Sequence, residues 1–190
     1  MFKNKFNLRN VIVIIICLAV NLFSPEVKGL NPTGLAEISS ASLPNSLTGE
    51  YEKIVLDPTT YTLVAFSATW CAPCITMVPI LKEIHEATEG FMDMVYINMD
   101  PRDRKDAWNA LLEENSIRWR SLWLIDNNLR RHWGVGGLPS YILVAPNGNA
   151  RRVTLHHQED VQALFSIIGI APIRVQAPFH YQIVRRSGNQ

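Results

Sequence analysis

Trp70-Cys71-Ala72-Pro73-Cys74, set directly behind the apolar run Thr62-Leu63-Val64-Ala65-Phe66, constrains this chain more than any other stretch. Two cysteines three positions apart at the start of a helix share one face about 5 to 6 Å apart, inside the Cα window a disulfide requires. Such a pair closes and opens with little backbone movement, so the pattern reads as a thiol and disulfide exchange site. The unpaired N–H groups and positive dipole end of a helix beginning at Cys71 favour a thiolate there, which makes Cys71 the nucleophile. Lowering a thiol pKa from about 8.5 to about 7 raises the thiolate fraction at pH 7 roughly tenfold. Cys74, one turn further in, stays protonated and resolves the mixed disulfide.

Two other uses of the pair are a structural disulfide and half of a zinc site. The only further cysteine is Cys17, inside an apolar leader. His85, His132, His156, His157 and His180 offer no pair at metal-ligand spacing, so four ligands are hard to assemble and no metal is expected.

The leader has the layout of an export signal. Lys3, Lys5 and Arg9 precede the apolar stretch from Val11 to Val20, and Asn21 breaks it. That stretch is short for a bilayer span, which takes about 20 residues. Val27-Lys28-Gly29 offers an imperfect cleavage site before Leu30, and an uncleaved membrane tether is the alternative. Cys17 reads there as a hydrophobe. The 190 residues carry 18 Lys and Arg against 17 Asp and Glu; removing the first 29 takes away four of the former and one of the latter, leaving 14 against 16. A mildly acidic remainder without a basic stripe excludes nucleic acid as the expected partner. Export would leave Cys71 and Cys74 alone in a compartment where disulfides persist.

The rest of the chain divides by composition and period. Residues 30–50 are rich in Ser, Pro, Gly and Asn and read as an irregular lead-in, with the domain spanning 51–169 and a tail over 170–190, read as either an added strand or a disordered end. Within the domain, strands are expected over 52–56, 62–67, 94–99, 141–145 and 151–155, with a short strand or irregular cover over 117–125. Helices are expected over 71–88, 103–115, 128–133 and 158–168, the first kinked at Pro79 and carrying His85 on its surface. Strand, helix, strand, helix, hairpin, helix implies an α/β fold, a central mixed sheet flanked by helices.

On these residues the chain resembles the thioredoxin superfamily, and within it the exported TlpA and ResA-like branch. The carriers are Phe66 through Cys74, Tyr96-Ile97-Asn98-Met99-Asp100, Gly134 through Ser140, and Pro146-Asn147-Gly148. The resemblance implies a thioredoxin fold with an N-terminal extension and a helical insertion between Asp100 and Trp133. It implies a cis Pro139 against the cysteine pair, with the backbone at Leu138 receiving a substrate strand and Trp70 shaping the same surface. It further implies disulfide-containing envelope proteins as partners, a membrane thiol carrier as electron donor, and no dissociable cofactor. Two departures stand out. Ala65 occupies the position of the family's buried aspartate, and Met77 that of the glutamate common in ResA-like members, so the proton of Cys74 must leave through water or another side chain. Ala72-Pro73 lacks the histidine of strongly oxidising relatives, which points toward a reductant. Reading the pair without the chemistry leaves two alternatives, a binding module that uses the Pro139 groove and a metal-delivery protein that uses the two cysteines.

Overall fold

The computed structural model describes residue 38 and residues 41–54 and 57–179. The leader, its cleavage site and residues 180–190 lie outside the described residues. No described helix is long and apolar enough to cross a membrane.

Among the described residues these elements follow one another: β1 (Ser42–Pro44), β2 (Tyr51–Lys53), β3 (Tyr61–Ser67), α1 (Ala72–Thr76), α2 (Val78–Ala87), β4 (Met92–Asn98), α3 (Lys105–Glu114), β5 (Arg120–Trp123), α4 (Asn127–His132), β6 (Ser140–Val144), β7 (Ala150–Val153) and α5 (Gln158–Ile168). A single 3₁₀ turn over Arg102–Arg104 leads into α3. Five strands form one mixed sheet in the order β5-β4-β3-β6-β7. β3 pairs in parallel with β4 and antiparallel with β6, and thus lies at the centre. Its residues 62–67 are all buried, as a strand covered on both faces demands.

Alternation along the strands sends successive side chains to opposite faces. Leu63 and Ala65 of β3, Met94 and Tyr96 of β4 and Leu143 of β6 face α2 and α5, which contribute Val78, Leu81, Ile84, Val161, Leu164 and Phe165. Trp108 of α3 joins this layer, its ring 5.1 Å from that of Tyr96. Val64, Phe66, Val95, Ile97, Ile142 and Val144 point the other way, toward Trp133, Val135 and the early residues Ile38, Leu43 and Ile54. α5 ends where a helix should, on Gly169 in the left-handed region with φ 81°, and starts on a reciprocal cap between His157 and Asp160.

The stretch over 30–50, expected to be irregular, contains β1, which pairs with β2 in register from Ser42 opposite Lys53 to Pro44 opposite Tyr51. The physical reason is long-range. Asn45 bridges Leu122 of the edge strand β5, and the Ser46 N–H donates to the Ser121 carbonyl at 2.9 Å. The Ser46 and Ser121 hydroxyls lie 2.9 Å apart, and the Trp108 indole donates to the latter. Arg120 donates to the carbonyls of Lys53 and Ile54. The hairpin therefore covers a sheet edge that would otherwise stand open.

Residues 170–179 are equally part of the domain, neither an added strand nor a disordered end. Val175 is buried, and Ile173, Ala177 and Phe179 pack on the layer formed by α2 and α5. The Gln158 side chain donates to the Ile173 carbonyl and accepts from the Val175 N–H. The Glu83 carboxylate accepts the N–H groups of Gln176 and Ala177, both at 2.7 Å. These are backbone bonds to side chains of α2 and α5, and they tie the segment down without a strand ladder.

Candidate active site

β3 ends at Ser67, and the chain turns through Ala68-Thr69-Trp70 to Cys71, whose N–H donates to the Ala68 carbonyl at 3.1 Å. Asp100, buried just past the end of β4, holds this turn. Its carboxylate accepts the Thr69 N–H at 3.0 Å and the Thr69 hydroxyl at 3.0 Å, and its own carbonyl accepts the Trp123 indole at 2.8 Å. Sequence reading includes Asp100 among the residues that carry the resemblance but gives it no role in this turn; the available signal is an Asp at the mouth of a parallel strand next to the one that delivers the cysteines.

Cys71 is the N-cap of α1, and its sulfur accepts the Cys74 N–H at 3.3 Å. The two cysteines form a disulfide with Cα atoms 5.2 Å apart, within the spacing expected from the motif. Cys71 is 4% exposed and Cys74 1%, so both cysteines are buried, Cys71 slightly the less deeply. Trp70 beside them is 58% exposed, a large apolar surface turned to solvent.

The helix expected over 71–88 is two helices. Pro79 has no N–H to donate to Ile75, the bonding pattern lapses at Met77, and α2 restarts at Val78. Cys74 is the buried residue of the short α1. His85 lies half buried on α2 with its ring 5.2 Å from that of Trp119, away from the cysteines.

β6 brings the second half of the site. Ser140 pairs with Phe66, so the residues just before it stand at the end of β3 from which Cys71 departs. The Leu138–Pro139 peptide is cis. Leu138 packs against Ala68, Cys71 and Cys74, and the Ser140 hydroxyl donates to the Gly137 carbonyl at 2.6 Å. Trp70, Cys71, Cys74, Leu138 and Pro139 are thus brought to one end of the sheet. Gly136 and Gly137 beside them are exposed and have nothing within 4 Å of where a Cβ would stand, which leaves the backbone open to a partner chain.

Ala65 and Met77 are both buried, so the two positions where relatives place a carboxylate are apolar here. Polar groups appear at the ends of β3 and β4 instead. The Ser67 hydroxyl lies beside the Tyr96 phenol, both buried, and the buried amide nitrogen of Asn98 has no protein hydrogen-bond partner. Burial pushes the Tyr96 phenol up to about 12, with the Ser67 hydroxyl opposing the shift. Among the described residues no cluster of His, Cys, Asp and Glu could hold a metal ion.

A central mixed sheet, a Cys-Ala-Pro-Cys pair at a helix start and a cis-proline loop against it define a thioredoxin fold with a redox-active pair. Residues 59–150 form a domain that matches the family model described as thioredoxin-like. Over 88 residues the chain is 34% identical to the thiol:disulfide interchange protein CycY of Rhizobium leguminosarum bv. viciae, covering 46% of this chain and 45% of that protein. It is 35% identical over 60 residues to thioredoxin C-2 of Corynebacterium nephridii, covering 32% of this chain and 56% of that one. The chain thus spans about half the length of the curated relatives it matches. The thioredoxin domain of a thiol-disulfide oxidoreductase from Bacteroides vulgatus superposes with a TM-score of 0.59 at 20% identity, covering 67% of this chain and 92% of that one. A secreted disulfide oxidoreductase of Mycobacterium tuberculosis gives 0.54 at 16% identity, covering 63% and 86%. These two likenesses speak to the fold.

Proposed function

We propose that the protein is a thiol:disulfide oxidoreductase of the cell envelope that reduces disulfides in partner proteins. The observation that carries this reading is the pair itself: a bonded Cys71 and Cys74 at the end of β3, the Cys71 sulfur capped by an N–H and flanked by exposed Trp70 and by Leu138.

In the reducing direction the Cys71 thiolate attacks one sulfur of a partner disulfide, and the other partner sulfur leaves and takes a proton. Cys74 then gives up its proton and attacks Cys71. The Cys71–Cys74 bond forms, the bond between Cys71 and the partner breaks, and the partner departs with two thiols. Two electrons have passed from this chain to the partner. A membrane thiol carrier resets the pair. The partner strand docks along the backbone at Leu138, with Trp70 and Pro139 shaping the groove. The basic and apolar leader, with Lys3, Lys5 and Arg9 before Val11 to Val20, supports an exported location, either released after Gly29 or tethered. The Ala-Pro dipeptide between the cysteines, lacking a histidine, supports the reducing direction.

The test is the midpoint potential of the Cys71 and Cys74 couple, measured by equilibration against defined thiol buffers. A value near that of thioredoxin, roughly −270 mV, supports a reductant; one near −120 mV makes the protein an oxidase and reverses the proposed flow. Cys71→Ser separates an enzyme, which loses turnover, from a binding module, which keeps its partner.

A further inference from the structure

We propose that Arg152 and Arg130 are positioning residues for partner docking: together they hold the backbone of residues 133–135 and so fix where the loop carrying Leu138 and Pro139 stands beside Cys71. The inference rests on the exchange reaction and strand docking proposed above and adds the side chains that set the docking loop in place.

The loop begins where α4 stops. Trp133 is the C-cap and Gly134 takes the left-handed region with φ 62°. The N–H groups of Trp133, Gly134 and Val135 donate to the carbonyls of Leu129, Arg131 and Arg130 at 2.9, 2.9 and 3.0 Å, a helix stop that uses up the N–H groups and leaves three loop carbonyls to be paired. Two guanidinium groups take them. Arg152 donates from Nη2 to the Trp133 carbonyl at 3.0 Å and to the Gly134 carbonyl, and Arg130 donates from Nε to the Val135 carbonyl at 3.1 Å. Arg152 reaches the loop from β7. It pairs with Ile142 of β6, which puts its side chain on the sheet face where Ile142, Trp133 and Val135 pack.

The hold ends at Val135. Gly136 and Gly137 are the two residues between it and Leu138, whose side chain packs on Ala68, Cys71 and Cys74. Both glycines are exposed with open space where a Cβ would stand. Glycine has the widest backbone freedom of any residue, so the place of Leu138 depends on what is fixed before the pair and on β6 after it. Burial of Trp133 and Val135 sets how deep the loop sits, but apolar contact is non-directional. The arginine bonds set the direction in which the backbone leaves toward Gly136. A strand docked at Leu138 must bring its disulfide in line with Cys71, and misplacement of reacting atoms is costly in rate.

The experiment mixes the reduced protein in a stopped flow with two reagents that share one leaving group: the mixed disulfide of thionitrobenzoate with mercaptoethanol, and the same group on the central cysteine of an extended peptide. Attack of Cys71 on the mercaptoethanol or peptide sulfur releases coloured thionitrobenzoate, and the ratio of the peptide rate to the small-reagent rate reports what docking contributes. The ratio is expected to exceed about ten in the wild-type protein and to fall at least about fivefold in Arg152→Ala and in Arg130→Ala, with the small-reagent rate kept within about twofold. Arg151, next to Arg152 on β7, pairs with Leu143 and points to the other face, so Arg151→Ala removes the same charge and is expected to keep the ratio. A ratio kept in both loop variants, or lowered as much by Arg151→Ala, overturns the hold; a fall in one loop variant alone overturns the part assigned to the other arginine. A wild-type ratio near one overturns docking at this loop and leaves the exchange reaction standing, whereas no release from either reagent overturns the exchange reading and the hold with it. Where a variant slows both reagents alike, amide hydrogen exchange decides: faster exchange confined to residues 134–138 supports the hold, and exchange that is unchanged there or faster throughout the sheet ends it.

Discussion

One strand, β3, serves two regions built by opposite rules. From Thr62 to Phe66 it is an apolar core strand, every side chain buried between the α2 and α5 layer and the layer around Trp133. From Ser67 onward the same strand delivers a buried hydroxyl, a turn held by one carboxylate, an exposed tryptophan and two cysteines. The body of the domain is made mainly of apolar packing, and its cost of change is stability. The end of the sheet keeps groups that packing alone would remove, and its cost of change is chemistry. Residues in the two regions should therefore separate cleanly, body variants moving the melting temperature and site variants moving the rate.

The sharpest test is Cys71→Ser, for which disulfide exchange falls by at least about a thousandfold while the reduced variant melts close to the reduced wild type; turnover that survives breaks the assignment of the site. Next comes Phe165→Ala in the α5 layer, expected to cost about 3–5 kcal/mol in urea unfolding. Under conditions where it stays folded, the midpoint potential should stay put, and a shifted potential would mean that the two regions are coupled. Leu43→Ala tests how far the body reaches. Burial of Leu43 predicts a loss of about 2–4 kcal/mol, whereas a neutral result would return residues 42–44 to the status of a spacer. Glu83→Ala removes the acceptor of two N–H groups from the 170–179 segment and should cost about 1 kcal/mol, with earlier proteolysis of that segment as its signature.

The smallest effect is a pH dependence in the body. Burial lowers the pKa of His156 below its usual 6.5, opposed by Asp160 and aided by His157. Because the folded form binds its proton less readily than the unfolded chain, this histidine's contribution is present above pH 6.5 and is lost as pH falls below it. His156→Gln should flatten the loss of stability between pH 7 and pH 5 by a small amount, read from melting curves at each pH, and leave the pH profile of exchange unchanged.

The signals that could be read locally concern periods and punctuation. The apolar runs before Trp70 and over 141–145, the Gly169 stop and the 158–168 helix all follow from side-chain pattern and backbone preference, and they appear within a residue or two of where the sequence places them. Pro79 announced a disturbance, and the result is a break at Met77. What escaped are the parts whose stability comes from partners far along the chain. Ser42–Pro44 has no periodic signal because three residues cannot show one, and its hold is Leu122 and Ser121. The 170–179 segment is fixed by Glu83, about ninety residues earlier.

The amino-acid sequence by itself determined the chemistry available at the site. Two cysteines three apart at a helix start can form this disulfide in any fold that supplies a strand and a helix there, because the spacing is local. It also determined that no carboxylate stands at positions 65 and 77. Only the tertiary structure decided what surrounds the pair. Asp100 reaches Thr69 and Leu138 reaches the cysteines because β4 and β6 flank β3, and the same pairing gathers Ser67, Tyr96 and Asn98 onto one face. Register between strands joins residues 31 to 82 positions apart, and no local pattern carries that information.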